Sequence, residues 1–312
     1  MTPSPDPDAL VVGTRGSLLA VTQTQWVVDE IRRHHPHLTV RVERITTRGD
    51  RNPDAPLPEV GQKGIFTQEL EDALLDGSID LALHSAKDLP QEMPAGLDIL
   101  CVPRREDPRD ALVSRGGTRL QDLPRNAVLG TSSLRRQAQL RLLRRDLRFC
   151  VLRGNVDTRI HKVQRGDCDA TLLAMAGLRR VGLTEQATEP LDPDIMLPAP
   201  GQGILAVQGR ADDERVRALT RPAHDEEAAL ALTHERMLVD QLEGGCRTPI
   251  GALFEAHGPG VTLTAVVAAP AGDRAVRVQH AARRADAADL VARVVDELLD
   301  QGAAGIIEAC RD

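Results

Sequence analysis

Short apolar runs alternate with stretches of helical periodicity through the first two-thirds of the chain. Between positions 17 and 33, for example, the helical pattern predicts that Leu18, Leu19, Val27, Val28 and Ile31 face inward. Such strand–helix alternation predicts parallel α/β sheets. The predicted strands cover 9–13, 39–45, 79–84, 97–102, 127–130, 148–152 and 170–174, and the predicted helices cover 17–33, 66–76, 133–144 and 158–165.

The last third of the chain has a different pattern. A predicted helix at 226–242 is followed by three apolar stretches and then by a second helix at 287–299. Consecutive strands followed by a helix predict a small α+β domain, with helices covering a three-stranded antiparallel sheet. Pro222 interrupts the helical periodicity and predicts a domain boundary near it. The three apolar stretches are 250–255, 261–269 and 275–281.

Composition narrows the class of protein. The 312 residues are 41% hydrophobic, enough for two or three domains with buried cores. Aromatic residues make up only 1%, so the stacking platforms of a single-strand nucleic-acid binder are missing. The first residues lack the basic and apolar regions of a signal peptide, and no run approaches the ~20 apolar residues of a membrane span. Five widely spaced cysteines show no zinc-binding spacing. We therefore expect a cytoplasmic protein with no metal site and with neither nucleic acid nor membrane as partner.

Charge is unevenly distributed. The formal net charge is −7, yet residues 131–165 contain ten Lys or Arg residues and two acids. A strongly basic segment in an acidic protein predicts either a concave anion site or a basic surface patch, and charge alone favours the patch.

Three turns share one chemical character, because each follows a predicted strand, opens a predicted helix and offers hydroxyl groups, backbone N–H groups and arginine. They cover 13–17, 130–136 and 153–159. Arginine in a first helical turn opposes the helix dipole, so Arg135 and Arg136 are favourable there if an anion lies in front of the helix. Each turn alone is equally typical of capped helices with solvent-facing arginines. Three together favour a polyanionic ligand with carboxylates or phosphates, and none has nucleotide-loop spacing.

Three further segments carry candidate chemistry. Asp88, in 81–90, is an acid among basic motifs, where it would hold positive charge or move protons. In the alternative interpretation, Lys87 forms a salt bridge with a neighbour and Asp88 lies in a turn before proline. Gln202 lies in a Pro-Gly turn, as a ligand donor or as part of a structural connection. Cys246 follows two glycines that leave its sulfur uncovered, and Arg247 favours its nucleophilic thiolate form.

A long polar segment covers residues 46–64. Its proline, glycine and charge content predicts no regular structure, and loops of this length in compact domains are often functional lids. Disorder is the alternative interpretation.

Several motifs occur together in one order along almost the whole chain, and on them the sequence resembles the hydroxymethylbilane synthase (porphobilinogen deaminase) family. They are Thr14-Arg15-Gly16-Ser17, Thr47-Arg48-Gly49-Asp50, His84-Ser85-Ala86-Lys87-Asp88-Leu89-Pro90, Arg105-Glu106-Asp107-Pro108-Arg109-Asp110-Ala111, Gly130-Thr131-Ser132-Ser133-Leu134-Arg135-Arg136-Gln137, Leu152-Arg153-Gly154-Asn155-Val156, Pro200-Gly201-Gln202-Gly203 and Glu243-Gly244-Gly245-Cys246.

The resemblance implies a fold. It implies two doubly wound α/β domains like those of type II periplasmic binding proteins, and a small α+β domain that carries the cysteine. Domain 1 would cover 1–103 and 201–221, domain 2 would cover 104–200, and domain 3 would cover 222–312.

The resemblance also implies an activity. Family members are transferases of tetrapyrrole and haem biosynthesis, which condense four porphobilinogen molecules head to tail with release of ammonia to give linear hydroxymethylbilane. A dipyrromethane cofactor would be attached through a thioether to Cys246, and Asp88 would be catalytic. The protein would be a monomer. The residues implied to hold cofactor and substrate carboxylates are Arg15, Ser17, Ser85, Lys87, Thr131, Ser132, Ser133, Arg135, Arg136, Arg153, Gly154, Arg159 and Gln202, with Lys63 and Phe66 as candidate lid residues.

Two other classes compete with this interpretation. A non-catalytic carboxylate-binding protein would use the same arginine turns but has no need of Cys246. A nucleic-acid binder would use the basic segment at 131–165, and the shortage of aromatic residues counts against it.

Overall fold

The computed structural model describes residues 9–51, 67–242 and 248–310. The described chain forms two compact units. Unit 1 contains the residues up to Arg105 together with Ile204–Ala229, and unit 2 contains Glu106–Gly203 and the residues from Leu230 onward. The chain therefore crosses from unit 1 to unit 2 after Arg105 and returns after Gly203. The division into three domains stays a prediction.

Strands and helices are numbered here along the chain. The strands are β1 (Ala9–Thr14), β2 (Thr39–Arg44), β3 (Leu81–Ser85), β4 (Leu97–Cys101), β5 (Asp110–Ser114), β6 (Val128–Gly130), β7 (Arg148–Cys150), β8 (Ala170–Ala174), β9 (Glu189–Pro190), β10 (Leu205–Arg210), β11 (Ile250–His257), β12 (Gly260–Ala268) and β13 (Ala275–Arg283). The helices are α1 (Leu18–His34), α2 (Arg48–Arg51), α3 (Gln68–Leu75), α4 (Leu134–Leu143), α5 (Val156–Arg165), α6 (Met175–Arg180), α7 (Glu214–Thr220), α8 (Glu226–Gln241), α9 (Ala287–Asp300) and α10 (Ala303–Glu308).

Unit 1 is built on a sheet with the strand order β2-β1-β3-β10-β4. Alternate residues of its strands point to opposite faces, and each face is covered by a helix. Leu10 and Val12 of β1 pack in one core with Val28 of α1. On the other face, Ala82 of β3 packs with Leu70 of α3. Helices on both faces make this a doubly wound sheet.

Unit 2 repeats the arrangement with the order β7-β6-β8-β5-β9. Leu129 of β6 and Leu172 of β8 share a core with Leu140 of α4. The neighbouring residue Leu173 faces the opposite side, where it packs with Ile160 of α5.

Both sheets are mixed, whereas the sequence pattern predicts parallel sheets. In unit 1, β10 runs antiparallel to β3 and β4, and in unit 2, β5 runs antiparallel to β8 and β9. Each of these is the first strand after the chain crosses from the other unit. It therefore enters its sheet without the helical crossover that makes successive strands parallel.

The third sheet belongs to unit 2 and has the antiparallel order β11-β12-β13. Helix α9 buries an apolar stripe that includes Leu290, Val294 and Leu298, and it packs on β12 and β13. The predicted fold class of two doubly wound α/β parts and a small α+β part with three antiparallel strands is confirmed, and each doubly wound sheet has five strands. No helix within the described ranges has the length and apolar character needed to cross a membrane.

A close approach at Gly251 in β11 gives a stability prediction. A Cβ atom there would lie 2.9 Å from the Leu197 carbonyl oxygen and 2.9 Å from Val266 Cγ1, so the backbone would have to shift. We expect Gly251→Ala to lower the free energy of unfolding by about 1–3 kcal/mol, measured by denaturant titration. The control is Gly260→Ala in β12, where the nearest atom is 3.7 Å away, and an equal loss there would contradict the steric explanation.

Candidate anion-binding and catalytic site

The turn between β1 and α1 in unit 1 contains Arg15 and Ser17. Ser17 caps α1, since its Oγ accepts a hydrogen bond from the Ala20 backbone N–H at 3.2 Å. The Arg15 guanidinium pairs with Asp50, with Nη2 2.5 Å from Oδ1 and Nε 3.2 Å from Oδ2. Burial alone would raise the pKa of Asp50, but hydrogen bonds from Arg15 and Thr47 outweigh it and hold this pKa below its usual range.

Asp50 lies in the segment expected to lack regular structure, and that expectation is wrong for residues 48–51. They form the single turn α2, in which Asp50 Oδ2 accepts hydrogen bonds from the Thr47 hydroxyl at 2.7 Å and the Thr47 backbone N–H at 3.3 Å. These local bonds, with the ion pair to Arg15, stabilise a turn that composition alone does not indicate. Residues 52–64 lie outside the described ranges, as do the candidate lid residues Lys63 and Phe66.

Asp88 and Lys87 follow β3 in a single 3₁₀ turn, Ala86–Asp88. The turn is anchored by buried Ala86, whose N–H donates to the Ile204 carbonyl at 3.0 Å, while both charged side chains are exposed. Ser85, just before it, lies 3.4 Å from the Gln23 amide nitrogen. Since β1 and β3 are parallel neighbours, the Arg15–Ser17 turn and the Asp88 turn lie at the same edge of the sheet.

A chain of buried polar residues lies next to that turn, and no local sequence pattern predicts it. His84 Nε2 is 2.9 Å from Gln208 Oε1, and Gln208 Nε2 donates to Glu71 Oε1 at 3.4 Å. Burial lowers the pKa of His84 to about 4, with the positive charge of Arg15 acting in the same direction and the hydrogen bond to Gln208 opposing it. The imidazole is therefore neutral at physiological pH, so Nε2 carries the proton donated to Gln208.

This shift gives a pH prediction. Between the ordinary histidine pKa and about 4, the unfolded chain binds a proton at His84 that the folded protein does not, so stability falls as pH falls through that window. From pH 7 to pH 5 the His84 contribution should lower the free energy of unfolding by about 2 kcal/mol. We expect His84→Gln, which keeps a donor for Gln208, to lose correspondingly less stability over that range in denaturant titrations. An identical pH dependence of the two proteins would contradict the assignment.

The first turn of unit 2 lies between β6 and α4. Ser133 caps α4 by accepting from the Arg136 backbone N–H at 3.4 Å, and Thr131 Oγ1 accepts from the Ser133 N–H at 3.2 Å. Ser132 Oγ lies 3.4 Å from the Leu152 carbonyl oxygen. All three hydroxyl groups are therefore placed at the N-terminus of α4, where the helix dipole favours negative charge.

Arg135 and Arg136 are buried, each with 7% of its side chain exposed, and both pair with Asp110, which has 0% exposed. Arg135 Nη2 is 2.8 Å from Asp110 Oδ2, and Arg136 Nη2 is 2.6 Å from Oδ1. Burial lowers the pKa of Arg135, with the Asp110 charge opposing it. These arginines are thus held by the protein itself, which the solvent-facing interpretation of the turn did not anticipate. Whether they also hold a ligand stays a prediction.

The second turn of unit 2 follows β7 and opens α5. Gly154 has φ +116°, a conformation that favours glycine, and a Cβ there would lie 2.9 Å from Thr158 Cγ2. Arg159 Nε donates to the Gly154 carbonyl at 2.6 Å, and Lys162 Nζ donates to the Arg153 carbonyl at 3.0 Å. Because β6 and β7 are parallel neighbours, the two turns of unit 2 lie at one edge of its sheet.

Gln202 is fully buried in unit 2. Its amide nitrogen donates to the Pro108 carbonyl at 2.7 Å and to Asp110 Oδ1 at 3.1 Å. Arg180, at the end of α6, is not predicted by the sequence pattern, because no turn with hydroxyl groups like those of the three predicted turns precedes it. Its Nη2 donates to the Gly203 carbonyl at 2.7 Å, and burial lowers its pKa to about 10 although Glu106 opposes this. A half-buried cation of this kind is a candidate binding group.

The candidate attachment residue Cys246 lies in 243–247, outside the described residues. The other four cysteines form no disulfide. Burial raises the pKa of Cys101 to about 12 and that of Cys168 to about 11, so neither thiol ionises readily. No group of three or more potential metal ligands occurs among the described side chains.

Each unit carries arginine- and hydroxyl-bearing turns at the ends of its strands, and in unit 1 the exposed carboxylate of Asp88 lies at the same sheet edge as the Arg15–Ser17 turn. This arrangement is typical of α/β proteins that bind polyanionic ligands. Comparison with known proteins identifies the family. Residues 10–218 match the model described as porphobilinogen deaminase, dipyromethane cofactor binding domain, and residues 229–300 match the C-terminal domain of the same family. The chain belongs to the porphobilinogen deaminase family, whose members are transferases, and the family prediction made from the sequence motifs is confirmed.

Individual relatives agree with this assignment. The chain is 48% identical over 298 residues to a porphobilinogen deaminase of Roseiflexus sp. (strain RS-1), covering 96% of this chain and 98% of that protein. It is 42% identical over 304 residues to one from Oceanobacillus iheyensis, covering 97% and 98%. The effector-binding domain of BenM with benzoate covers 76% of this chain and 93% of its own, with a TM-score of 0.41 at 15% identity. This TM-score is too low to bear on the fold.

Proposed function

We propose that this chain is a hydroxymethylbilane synthase, which condenses four porphobilinogen molecules head to tail, releases one ammonia for each, and yields linear hydroxymethylbilane. The observation that carries the residue assignment is the placement of exposed Asp88 and Lys87 at the same sheet edge as the Arg15–Ser17 turn. An acid, a lysine and an arginine turn suit a substrate that carries carboxylates and develops positive charge as ammonia leaves.

The residues present fit a dipyrromethane cofactor. Its pyrrole rings carry acetate and propionate groups, and guanidinium, ammonium and hydroxyl groups at helix N-termini are the donors that carboxylates prefer. When bound, the cofactor supplies a free pyrrole α-carbon to which the first substrate is joined. The residues proposed to bind cofactor and substrate carboxylates are Arg15, Ser17, Ser85 and Lys87 of unit 1, and Thr131, Ser132, Ser133, Arg135, Arg136, Arg153, Gly154, Arg159, Gln202 and Arg180 of unit 2.

The placement of these residues refines their proposed roles. Arg135 and Arg136 share one carboxylate, so this pair leaves one positive charge in excess at the N-terminus of α4. Ligand carboxylates would bind to this excess positive charge and to the hydroxyl groups of the same turn. Gln202 is buried against Asp110, so its role would be to support the arginine pair.

Asp88 is proposed as the catalytic residue. Its carboxylate would stabilise the positive charge that develops on porphobilinogen as ammonia leaves, and it would hold the proton that must be lost from the pyrrole ring after each condensation. Lys87 and Arg15 would hold substrate carboxylates, which keeps the substrate oriented while Asp88 acts.

Cys246 is proposed as the attachment point of the cofactor through a thioether, with a structural and not a turnover role. Lys63 and Phe66 are kept as candidate lid residues. We also propose that the protein is a cytoplasmic monomer, which fits its family's biosynthetic role and the absence of disulfides among its described cysteines. Sedimentation analysis of the purified protein would measure its oligomeric state.

Two measurements on the wild-type protein test the proposed function. Its intact mass should exceed the mass calculated from the sequence by two linked pyrrole units, and it should convert porphobilinogen to a linear tetrapyrrole with one ammonia released per substrate. A protein that binds porphobilinogen but releases no ammonia would instead be the non-catalytic carboxylate-binding protein considered above.

A further inference from the structure

Asp110 is the centre of a buried polar cluster in unit 2. Both of its carboxylate oxygens contact arginine: Oδ2 is 2.8 Å from Arg135 Nη2, and Oδ1 is 2.6 Å and 3.1 Å from Nη2 and Nε of Arg136. Gln202 Nε2 donates to the same Oδ1 at 3.1 Å. One carboxylate therefore fixes the positions of two guanidinium groups and one amide.

Each guanidinium group is held from a second side by a backbone carbonyl. Arg135 Nη1 donates to the Leu197 carbonyl at 2.6 Å, and Arg136 Nη1 donates to the Leu172 carbonyl at 2.7 Å. Long side chains with this many fixed contacts have lost their rotamer freedom in advance of ligand binding. Preorganisation of this kind lowers the cost of binding an anion.

The cluster also joins two of the three places where the chain passes between units, the crossing after Arg105 and the return after Gly203. Asp110 and Pro108 lie just after the first crossing, and Gln202 lies just before the return. Gln202 Nε2 donates to the Pro108 carbonyl at 2.7 Å, and the Glu106 N–H donates to the Gly203 carbonyl at 3.1 Å. Asp110 thus connects these two crossing segments to the N-terminus of α4.

We propose that Asp110 is a positioning residue for cofactor binding: it holds Arg135 and Arg136 in the geometry that receives ligand carboxylates and limits their excess charge to one. This inference rests on the proposed role of the two arginines. Asp110 itself acts through them and does not contact the ligand, since its carboxylate is covered by their guanidinium groups.

The same segment offers a matched control in Asp107. Its side chain is also buried, with 7% exposed, and it also pairs with two arginines, Arg109 at 2.7 Å and Arg179 at 3.0 Å. Neither of these is Arg135 or Arg136. Asp107→Asn therefore tests the loss of a buried carboxylate shared by two arginines without disturbing the α4 turn.

The experiment measures cofactor loading and not turnover. Apo-protein made in a host unable to produce porphobilinogen is mixed with porphobilinogen, and the gain of two pyrrole units is followed by intact mass over time. We expect Asp110→Asn to load about tenfold more slowly or worse, because its arginines lose their common partner, and Asp107→Asn to load within about twofold of wild type. Asp110→Asn loading at the wild-type rate would overturn the proposal.

A double-mutant cycle shows whether Asp110 acts through the arginines. The Arg136→Gln variant already lacks one of the two arginines that Asp110 holds. Adding Asp110→Asn to this variant should therefore slow its loading by less than about twofold. If the two losses multiply, Asp110 acts independently and the proposal is wrong. If Asp110→Asn does not fold, Asp110→Glu replaces it; this variant keeps the charge but moves the carboxylate, so slower loading with a nearly unchanged melting temperature is expected, and wild-type loading would overturn the proposal.

A further variant separates this inference from the proposed function. If Arg135→Ala loads normally, the proposed binding role of the arginines is itself wrong. If Arg135→Ala fails to load while Asp110→Asn loads normally, only the positioning role of Asp110 is rejected.

Discussion

Replacing Asp88 by asparagine is expected to lower the turnover of porphobilinogen by about two to three orders of magnitude while the dipyrromethane cofactor stays attached. Asparagine has nearly the same shape as aspartate, but it carries no negative charge and cannot take up a proton at neutral pH. The positive charge that develops on the substrate would lose its stabilising partner, and the loss should appear mainly in kcat.

The position of Asp88 allows its charge to be removed without disturbing the turn that carries it. Its side chain is exposed, while the turn that carries it is anchored by buried neighbours on both sides, Ala86 and Leu89. The hydrogen bond from the Ala86 N–H to the Ile204 carbonyl does not involve the Asp88 side chain. We therefore expect the melting temperature of Asp88→Asn to match that of the wild type, so that lost turnover cannot be attributed to unfolding.

Asp98→Asn is the matched control for Asp88→Asn. Asp98 is an exposed carboxylate in β4 of the same unit, and its loss should leave turnover unchanged. Intact mass reports cofactor attachment for both variants. If Asp88→Asn has a near-normal kcat, Asp88 has no role in the reaction. If Asp88→Asn carries no cofactor, Asp88 is needed for cofactor assembly and not for turnover alone.

Much of the fold could be predicted because its determinants are local. The helix predicted at 17–33 is observed as Leu18–His34, because its buried face around Val27 and Ile31 and its Ser17 cap are both encoded within one segment. The inward placement predicted for Leu18 is wrong: it lies half a turn away from Val27 and is 54% exposed. The strand predicted at 170–174 matches β8, where a short apolar run is buried on both faces. The three predicted strand-to-helix turns are also found between a strand and a helix.

The direction of each strand, parallel or antiparallel to its neighbours, could not be predicted from local pattern. The apolar run of β10 is typical of a buried strand and does not indicate its direction. Its antiparallel pairing with β3 follows from where the chain returns to unit 1. Strand β5 was missed, because its five residues begin with a charged aspartate that only the folded structure shows to be buried.

The partners of the site residues were the least predictable part. Arginine is unfavourable in a first helical turn, so the sequence pattern predicts an external anion that balances Arg135 and Arg136. The structure places Asp110, more than twenty positions earlier in the chain, between their guanidinium groups. In the same way, Gln208 keeps His84 in a defined tautomer from 124 positions away. Contacts of this range leave no local pattern in a sequence.

Replacing Cys246 by serine is expected to abolish cofactor attachment completely. The thiolate is the reactive form of cysteine, whereas a serine hydroxyl has a far higher pKa and is a weak nucleophile without an adjacent base. The intact mass of Cys246→Ser exposed to porphobilinogen should therefore equal the mass calculated from its sequence, and hydroxymethylbilane should not be formed. The arginine turns would remain, so the variant should still bind carboxylate-bearing pyrroles reversibly.

The other cysteines supply the control that makes the Cys246 result specific. Cys101 has a pKa raised to about 12 by burial, so its thiol should neither attack porphobilinogen nor be needed for attachment. Cys101→Ala is small enough for its buried position in β4 and should retain the added mass of two pyrrole units. If Cys246→Ser still carries that mass, the cofactor is attached elsewhere. If it lacks the mass but turns over normally, the attached cofactor is not required for the reaction, and the order of events proposed for this enzyme would have to change.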